Sequence, residues 1–209
     1  MALQANALTT LARFKDYIGC PLSDTSKDAR YEFFIDATSA VMETYCERKF
    51  ARSDYVERHD GRLSDTLVLK NWPIVSVSEI RVSQAWDFSD PQSVLEPEYY
   101  VVENESVIRL RSRLFSKGSM NVQVSYTAGW ITPQNPNSNL PKDLELTCLQ
   151  LTEFYLQTRD DRRTGVTSKS KNTESISYLG DLPDFAKMIL DNYSRSEFAA
   201  GLVSSVTNG

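Results

Sequence analysis

The sequence has few of the residues on which most enzyme and metal sites depend, with one histidine and three cysteines among 209 residues. Zinc is usually held by several Cys and His side chains together, so this supply excludes a usual zinc site. Cys20, Cys46 and Cys148 are far apart and odd in number. They indicate reduced thiols in the core of a protein made in the cytoplasm, and they exclude a disulfide framework.

Glycine-rich motifs, long apolar runs and an excess of positive charge are also missing. The eight glycines form no phosphate-binding loop and no dinucleotide-binding fingerprint. No apolar run approaches the ~18 residues of a membrane span, and residues 1–10 lack the basic region and apolar core of a signal peptide. Lysine and arginine number 23 against 28 aspartates and glutamates, which gives a net charge of −5. This balance excludes a generally basic surface for nucleic acid.

The remaining composition is that of an ordinary globular protein, 41% hydrophobic and 24% charged. A domain has about 100–200 residues, so we expect one compact unit. Its periodicity divides it into a helical part at 1–52, a β subdomain at 53–130 and a second helical part at 131–209.

Two amphipathic helices are predicted in the first part. The first runs from Leu8 to Gly19 and the second from about Ser26 to Lys49, since apolar residues recur at intervals of three and four. The apolar positions of the second helix are Tyr31, Phe34, Ile35, Thr38, Val41, Met42, Tyr45 and Cys46.

Alternation with a period of two predicts a small antiparallel sheet, closed or sandwiched, in the second part. Segment 84–97, with two prolines and several acidic residues, is predicted as a long loop between strands. The predicted strands lie near 54–57, 67–69, 75–82, 99–101, 108–114 and 122–126.

The third part returns to helices. Pro141 opens a helix that we expect to end near Gln157, and Leu182-Pro183 precedes a last one. The polar segment 159–182 is predicted as a long exposed loop, mobile in the free protein and ordered when it meets a partner. The fold class is therefore α+β, with the N- and C-terminal helices packed as a small bundle and an antiparallel β subdomain inserted between them.

We expect the second helix, Tyr31–Lys49, to pack on the helix Leu144–Gln157, because both have wide apolar stripes. The residues predicted to be buried at this contact are Phe34, Val41, Leu151 and Tyr155.

The candidate catalytic and metal-binding residues are few. His59 beside Asp60 could be assembled into a Ser-His-Asp site, but its place in Arg-His-Asp-Gly favours a solvated histidine in a turn. The pairs Asp160-Asp161 and Asp87 with Asp90 could bind a divalent cation, but adjacent carboxylates on loops favour solvated charge. We therefore expect no enzyme activity, no metal and no cofactor.

Two groups of arginines are candidates for binding a partner. Arg109, Arg111 and Arg113 alternate and should share one face of a strand, either a solvated face balanced by nearby glutamates or a basic stripe facing a partner or passing DNA. A second group follows the helix that begins at Pro141, where cations either complement the helix dipole or contact an acidic partner. Its members are Arg159, Arg162 and Arg163.

In the order of its parts the chain resembles the head–tail connector (head-completion adaptor) proteins of tailed bacteriophages. The stretch Phe34–Arg48 resembles the family's second helix, which typically ends in an aromatic, a small residue and an arginine. Each piece alone is weakly specific, but their order and spacing together span about residues 8–195. The other matching pieces are Leu8–Gly19, Leu67–Val77, Tyr99–Val102, Val122–Trp130, Leu140-Pro141 with Phe154–Arg159, and Leu182-Pro183 with Tyr193–Arg195.

The resemblance implies a structural virion protein at the head–tail junction. Such adaptors form a ring, usually of twelve copies, under the portal protein. The ring extends the DNA channel, helps to retain packaged DNA and offers a surface to the neck or tail completion protein. An acidic chain suits a conduit through which DNA passes without specific binding, because favourable phosphate binding requires lysine and arginine.

Two other classes of function stay open at this point. A neck stopper or tail-completion protein would share the virion context one layer lower, although the helix–sheet–helix order favours the adaptor. An unrelated enzyme or small-ligand-binding module is opposed by the single histidine and by the absence of a nucleophile–base motif. We expect a monomer or weak oligomer in solution and a ring only on the particle.

Overall fold

The computed structural model of the chain describes residues 3–160, 169–171, 174–176 and 182–194, without the side chains of 159–160, 169–171 and 174–176. The chain divides into two compact units, a helical unit (1–48 with 131–209) and a β unit (49–130). The helices and antiparallel sheets confirm the predicted α+β class. The helices are α1 Leu11–Tyr17, α2 Asp28–Tyr45, α3 Lys142–Asp160 and α4 Asp184–Leu190.

Local signals set the ends of α1 and α2. The Thr10 side chain accepts a hydrogen bond from Arg13 N at 3.2 Å and so caps α1. Gly19, with φ +67°, takes the left-handed conformation that glycine adopts most readily and follows the end of α1. At the end of α2, Glu47 has φ 52°, and α2 accordingly stops at Tyr45, four residues before the predicted Lys49.

The predicted contact between α2 and α3 is present. Ser39 Oγ lies 3.7 Å from Cys148 Sγ across the two helices, and Ile35 shares one buried cluster with Leu149 and Leu156. Both thiols that are buried in this unit belong to the core, as expected from the sequence. They are Cys46 and Cys148, whereas Cys20, which was also predicted to lie in the core, is only half-buried.

Of the four residues predicted to be buried at this contact, only Leu151 is fully buried. Phe34 and Tyr155 are half-buried, and Val41 is exposed, at 38%. The prediction for Val41 was wrong because the apolar residues of α2 surround most of the helix while only one side can face α3. The buried side of α2 consists of Tyr31, Ile35, Thr38, Ser39, Met42 and Glu43.

Hydrogen bonds fix α4 to the rest of the helical unit. Tyr45 Oη donates to Asp191 Oδ1 at 2.6 Å, and Tyr193 Oη donates to Asp143 Oδ2 at 2.8 Å. The thiol of Cys46 donates to the carbonyl of Leu190 at 3.4 Å. These contacts tie the short C-terminal helix to the end of α2 and the start of α3.

Seven strands of the β unit form two antiparallel sheets. One sheet has the order β1-β7-β3-β4 and the other β2-β6-β5. Both sheets contribute to a single apolar core that includes Ile80, Ile108 and Val124, so the unit is a sandwich, one of the two predicted forms. The strands are β1 Ser53–Gly61, β2 Thr66–Val68, β3 Ile74–Val82, β4 Val94–Leu95, β5 Tyr100–Glu103, β6 Val107–Leu110 and β7 Gly118–Ala128.

The two predicted long loops contain short strands. β4 lies inside segment 84–97 and pairs with β3 through Ile80 and Leu95. Inside segment 159–182, β8 Lys169–Lys171 and β9 Glu174–Ile176 pair antiparallel. The helix predicted to end near Gln157 continues to Asp160. The rest of the predicted loop lies outside the described residues.

Ile35 and Phe33 provide a matched test of the buried side of α2. Ile35 is fully buried, whereas Phe33 is 60% exposed. Ile35→Ala should lower the free energy of unfolding by about 2–5 kcal/mol, because it leaves a cavity in the core. Phe33→Ala should change it by no more than about 0.5 kcal/mol. Denaturant melts of both variants measure this, and equal effects would contradict the assignment of faces.

Candidate functional site: the loop end of the β unit

The residue types that suggest chemistry do not form a reactive centre in the described part of the chain. Among those residues no group of three or more His, Cys, Asp or Glu side chains could hold a metal ion. Burial raises the pKa of the Cys46 thiol to about 12 and that of Cys148 to about 12, so both stay protonated near neutral pH. No described helix is long and apolar enough to cross a membrane.

The aspartates considered for cation binding serve the local backbone instead. Asp87 Oδ1 accepts hydrogen bonds from the Ser89 amide at 2.9 Å and from its hydroxyl at 2.6 Å. Asp90 Oδ1 accepts from Gln92 N at 2.9 Å and so caps a single helical turn, Pro91–Ser93. The side chains of Asp160 and Asp161 lie outside the described residues.

His59 is not the solvated turn histidine that its neighbours suggest. It lies within β1, opposite Val122 of β7, and its side chain is only 12% exposed. Its Nε2 lies 3.0 Å from Glu57 Oε2. The prediction was wrong because β1 continues through Asp60-Gly61, and the alternation of the strand turns His59 to the same side as Glu57.

Glu57 is the centre of a buried hydrogen-bond network. Besides His59, its carboxylate accepts from Tyr126 Oη, from Asn71 Nδ2 at 2.9 Å and from Lys70 N at 3.2 Å. Burial disfavours the charged carboxylate, but the hydrogen bonds outweigh burial and lower the pKa of Glu57. Burial and the bond to Glu57 raise the pKa of Tyr126. These residues hold the sandwich together and offer no nucleophile.

Three loops meet at one end of the β unit, where β1 and β3 end and β7 begins. We name this region the loop end, consisting of residues 62–65, 83–90 and 111–120, where the first residues of β7, 118–120, are counted with the third loop. Leu63 N donates to Phe115 O at 3.1 Å and joins the first loop to the third. Trp86 Nε1 donates to Ser119 O at 2.8 Å and joins the second loop to the third.

Large apolar side chains are exposed on this loop end. Leu63 is 58% exposed, Trp86 59%, Leu114 59% and Met120 47%. Three of them have positive φ, 55° at Leu63, 60° at Trp86 and 49° at Met120. Such conformations are unfavourable for bulky side chains and persist where the surroundings fix them. Several large apolar side chains held exposed by neighbouring loops are a feature of sites that contact another protein.

Side chains of β1 and β7 fix the backbone at the loop end through hydrogen bonds. Asp60 Oδ1 accepts from Met120 N at 2.8 Å, and Asn121 Oδ1 accepts from Gly61 N at 2.8 Å. A Cβ on Gly61 would lie 1.8 Å from the carbonyl oxygen of Ser116, so only glycine fits there. The loops therefore present their apolar side chains from a constrained scaffold.

The arginine triplet divides at the end of β6. Arg109 lies in the strand and pairs with Asp65 at 2.7 Å and Glu103 at 2.8 Å, as expected for a balanced sheet face. The strand ends at Leu110, and Ser112 has φ 56°, so the prediction that Arg111 and Arg113 continue it was wrong.

Beyond β6 the two remaining arginines belong to the loop end. The guanidinium of Arg113 lies 3.7 Å from the centre of the Tyr99 ring, and Arg111 is exposed. Residues 111–120 contain three cations, including Lys117, and no carboxylate. The third loop is therefore positive, whereas the other two loops of the loop end contain one arginine and three aspartates.

The structure describes only part of the second arginine group, which lies at the end of α3. The backbone of Arg159 belongs to α3, whereas its side chain and all of Arg162 and Arg163 lie outside the described residues.

Comparisons with known proteins identify the family. The model of the head completion protein family matches residues 7–196. The chain therefore belongs to that family, and the resemblance noted in the sequence is confirmed. Sequence comparison with curated proteins gives no match.

Solved structures share the fold. The chain is similar to the neck of an empty gene transfer agent (GTA) particle computed with C6 symmetry, with TM-score 0.57 and 16% identity over 93% of this chain and 92% of that one. It is similar in the same way to the neck of the native GTA particle computed with C12 symmetry, with TM-score 0.57, 15% identity and the same two coverages. A native GTA virion matches with TM-score 0.56 and 16% identity, again over 93% and 92%.

The apolar residues of the loop end were missed in the sequence. Leu63 and Met120 stand among polar residues with no periodic pattern, and Leu114 fits the alternation of a predicted strand. The one available signal is Trp86, a large aromatic residue in a polar and acidic segment. Its exposure depends on the left-handed backbone conformation of Trp86 itself, which the types of the neighbouring residues do not indicate.

The Glu57 network predicts a specific dependence of stability on pH. Glu57→Gln should lower the free energy of unfolding at pH 7 by about 1.5–3 kcal/mol, the range for hydrogen bonds to charged groups. Because the folded pKa of Glu57 is lowered, its ionised form stabilises the fold above the unfolded pKa near 4.3. The difference from the native chain should therefore shrink as the pH falls below about 4.3.

Denaturant melts at a series of pH values from 7 to 3 measure that difference. Glu98→Gln, at an exposed position, is the control, and its difference should stay near zero throughout. A gap for Glu57→Gln that is constant over the whole range would contradict the role of the ionised carboxylate.

Proposed function

We propose that this protein is a head–tail adaptor that docks under the portal as a ring, extends the DNA channel and provides the attachment surface for the neck or tail. The match of residues 7–196 to the head completion family is the observation that carries this proposal. The shared fold with neck components of a phage-like particle supports it. The protein would act in the virion, at the junction of head and tail.

In this proposal copies of the chain bind one another. The similar GTA necks were computed with C6 and with C12 symmetry, and the second of these supports a ring of twelve. The ring forms on the particle, and the free protein is a monomer or weak oligomer.

The loop end is the proposed docking surface for a protein partner. Trp86 and Leu114 supply apolar area, and Arg111 and Arg113 supply positive charge on the third loop, so the fitting partner surface offers apolar side chains to the first pair and acidic side chains to the second. Arg109 already has two acidic partners and is assigned a lesser part. Arg159, Arg162 and Arg163 are proposed as a second contact to acidic groups on the portal or a neighbouring subunit.

The proposed role needs neither catalysis nor tight DNA binding. A net charge of −5 disfavours phosphate binding, as a channel that releases DNA requires. The alternative from the same virion context is a neck stopper or tail-completion protein, which would bind the tail side and not the portal.

Attachment to heads tests the function directly. Purified full-length chain, mixed with DNA-filled heads that have a portal but lack this protein, should sediment with the heads and make them competent to join tails. Heads without a portal are the control and should bind none. Binding to tail tubes alone would assign the chain to the alternative class and contradict the adaptor role.

The loop end can be tested with two polar substitutions. The double variant Leu63→Asn and Leu114→Asn should fold normally, since both side chains are exposed, neither leucine side chain can form a hydrogen bond that joins the loops, and asparagine tolerates the positive φ at Leu63. It should bind the heads, or the next neck protein, at least about tenfold more weakly, because about 1.4 kcal/mol of lost apolar contact suffices for that factor.

Val56→Asn is the matched control. Val56 is 68% exposed on β1 of the same unit but lies outside the loop end. Equal weakening by the control, or unchanged binding of the double variant, would remove the loop end from the docking surface.

A further inference from the structure

The outer side of α2 has large apolar side chains, although it faces solvent. Phe33 is 60% exposed and Val41 is 38% exposed, with alanines between them and with the charged residues Arg30 and Asp36 one turn before and after Phe33. A helix on the surface of a monomer normally presents charged residues on this side. We name these residues the α2 face: Ala29, Phe33, Ala37, Ala40, Val41 and Thr44.

A groove of about 190 Å³ lies on the outer side of α3, beside α4. Phe154 and Phe185 form its apolar part. Its one carboxylate, Glu153, already accepts a hydrogen bond from Gln157 Nε2 at 2.9 Å. Two phenylalanine rings in one groove offer edge-to-face or stacked contacts to a further phenyl ring. We name it the α3–α4 groove, lined by Gln150, Glu153, Phe154, Gln157 and Phe185.

The α2 face and the α3–α4 groove point in opposite directions. Ile35 of α2 and Cys148 of α3 lie in the contact between these helices. Phe33 is two residues from Ile35, and Gln150 is two residues from Cys148. Two residues correspond to about 200° around a helix, so both positions lie on the far side from the contact. The α2–α3 pair therefore has an exposed phenyl ring on one side and, on the other, a groove that contains the rings of Phe154 and Phe185.

From this geometry we propose that Phe33 of one subunit inserts into the α3–α4 groove of the next subunit. The partner is a second copy of this chain, because one copy has both an exposed phenyl ring and a groove with two phenylalanine rings, on opposite sides of the α2–α3 pair. A contact between two different surfaces is repeated from copy to copy and closes a ring when the rotation permits, whereas a two-fold contact stops at a dimer. The inference rests on the proposed ring and names its subunit contact.

Disulfide cross-linking on heads that have bound the protein tests the contact. Ala37→Cys places a thiol one turn from Phe33 without removing it, and Gln150→Cys or Gln157→Cys places a thiol at the groove. Cys20→Ser removes the half-buried native thiol, while Cys46 and Cys148 are buried. On mild oxidation each double-cysteine variant is examined by non-reducing gel.

A ladder of dimers, trimers and higher species from at least one pair is expected, and each single-cysteine variant should give monomers. A strong dimer from Ala37→Cys alone would indicate a two-fold contact between α2 faces and overturn the proposal. So would a link from Ala37→Cys to a head protein with no ladder from either pair. If the native chain attaches to heads but no ladder forms, this inference fails while the proposed function stands. If the native chain does not attach, both fail.

Substitution of Phe33 gives an independent measurement. Phe33→Asp puts a charge into an apolar groove and should reduce the number of copies bound per head at least about tenfold. Phe33→Leu, which keeps an apolar side chain, should retain most of the binding. The two variants should unfold at the same denaturant concentration to within a small margin, because Phe33 is exposed in the single chain. Equal binding by both variants would overturn the proposal.

Discussion

The contact between α2 and α3 is the interaction on which the helical unit depends. Ser39 and Cys148 meet although they are 109 residues apart in the chain, with the whole β unit between them. Closing such a long connection is entropically unfavourable, although the penalty grows only slowly with length. Burial of Ile35 against Leu149 and Leu156 provides the compensating apolar stabilisation. α1 and α4 then attach at the edges of this pair, α1 through Phe14 against the Tyr31 ring at 5.4 Å.

The same contact decides which apolar residues remain in water. α2 is apolar around most of its circumference, and one side is used against α3, so Phe33 and Val41 are left on the other. In the β unit a different constraint has the same result. Positive φ at Leu63 and Trp86, fixed by hydrogen bonds between the loops, holds large side chains outside the sandwich core. Both groups of exposed apolar side chains are typical of a protein that functions in contact with other proteins.

The sequence predicts the positions of the helices and main strands well, but it predicts less well which of their side chains are buried. Spacing locates the helices, and alternation locates the main strands, because both patterns are local. The buried side of α2 is not local information, since Phe33, Phe34 and Ile35 are adjacent and an apolar stripe can be drawn through any of them. Only packing on α3 selects Ile35.

The candidate site shows the same limit. Arg109, Arg111 and Arg113 fit a strand pattern, yet the backbone turns at Ser112 and separates the last two from the first. The environment of His59 depends on Glu57, whose other partners, Asn71 and Tyr126, come from distant parts of the chain. The family could be predicted from the sequence because the resemblance rests on the order and spacing of many segments, each of which is weakly specific alone.

The small size of the proposed contacts explains why the ring would form only on the particle. Stable specific interfaces bury at least about 1,000 Å², and a single phenyl ring entering a shallow groove, with a few alanines around it, is a small contact. Alone it would give a weak, reversible association. In the proposed assembly, binding of each copy to the portal would hold neighbouring copies side by side and raise the effective concentration of each groove near the next Phe33. Contacts that are weak singly then act together around a closed ring, and closure leaves no α2 face exposed.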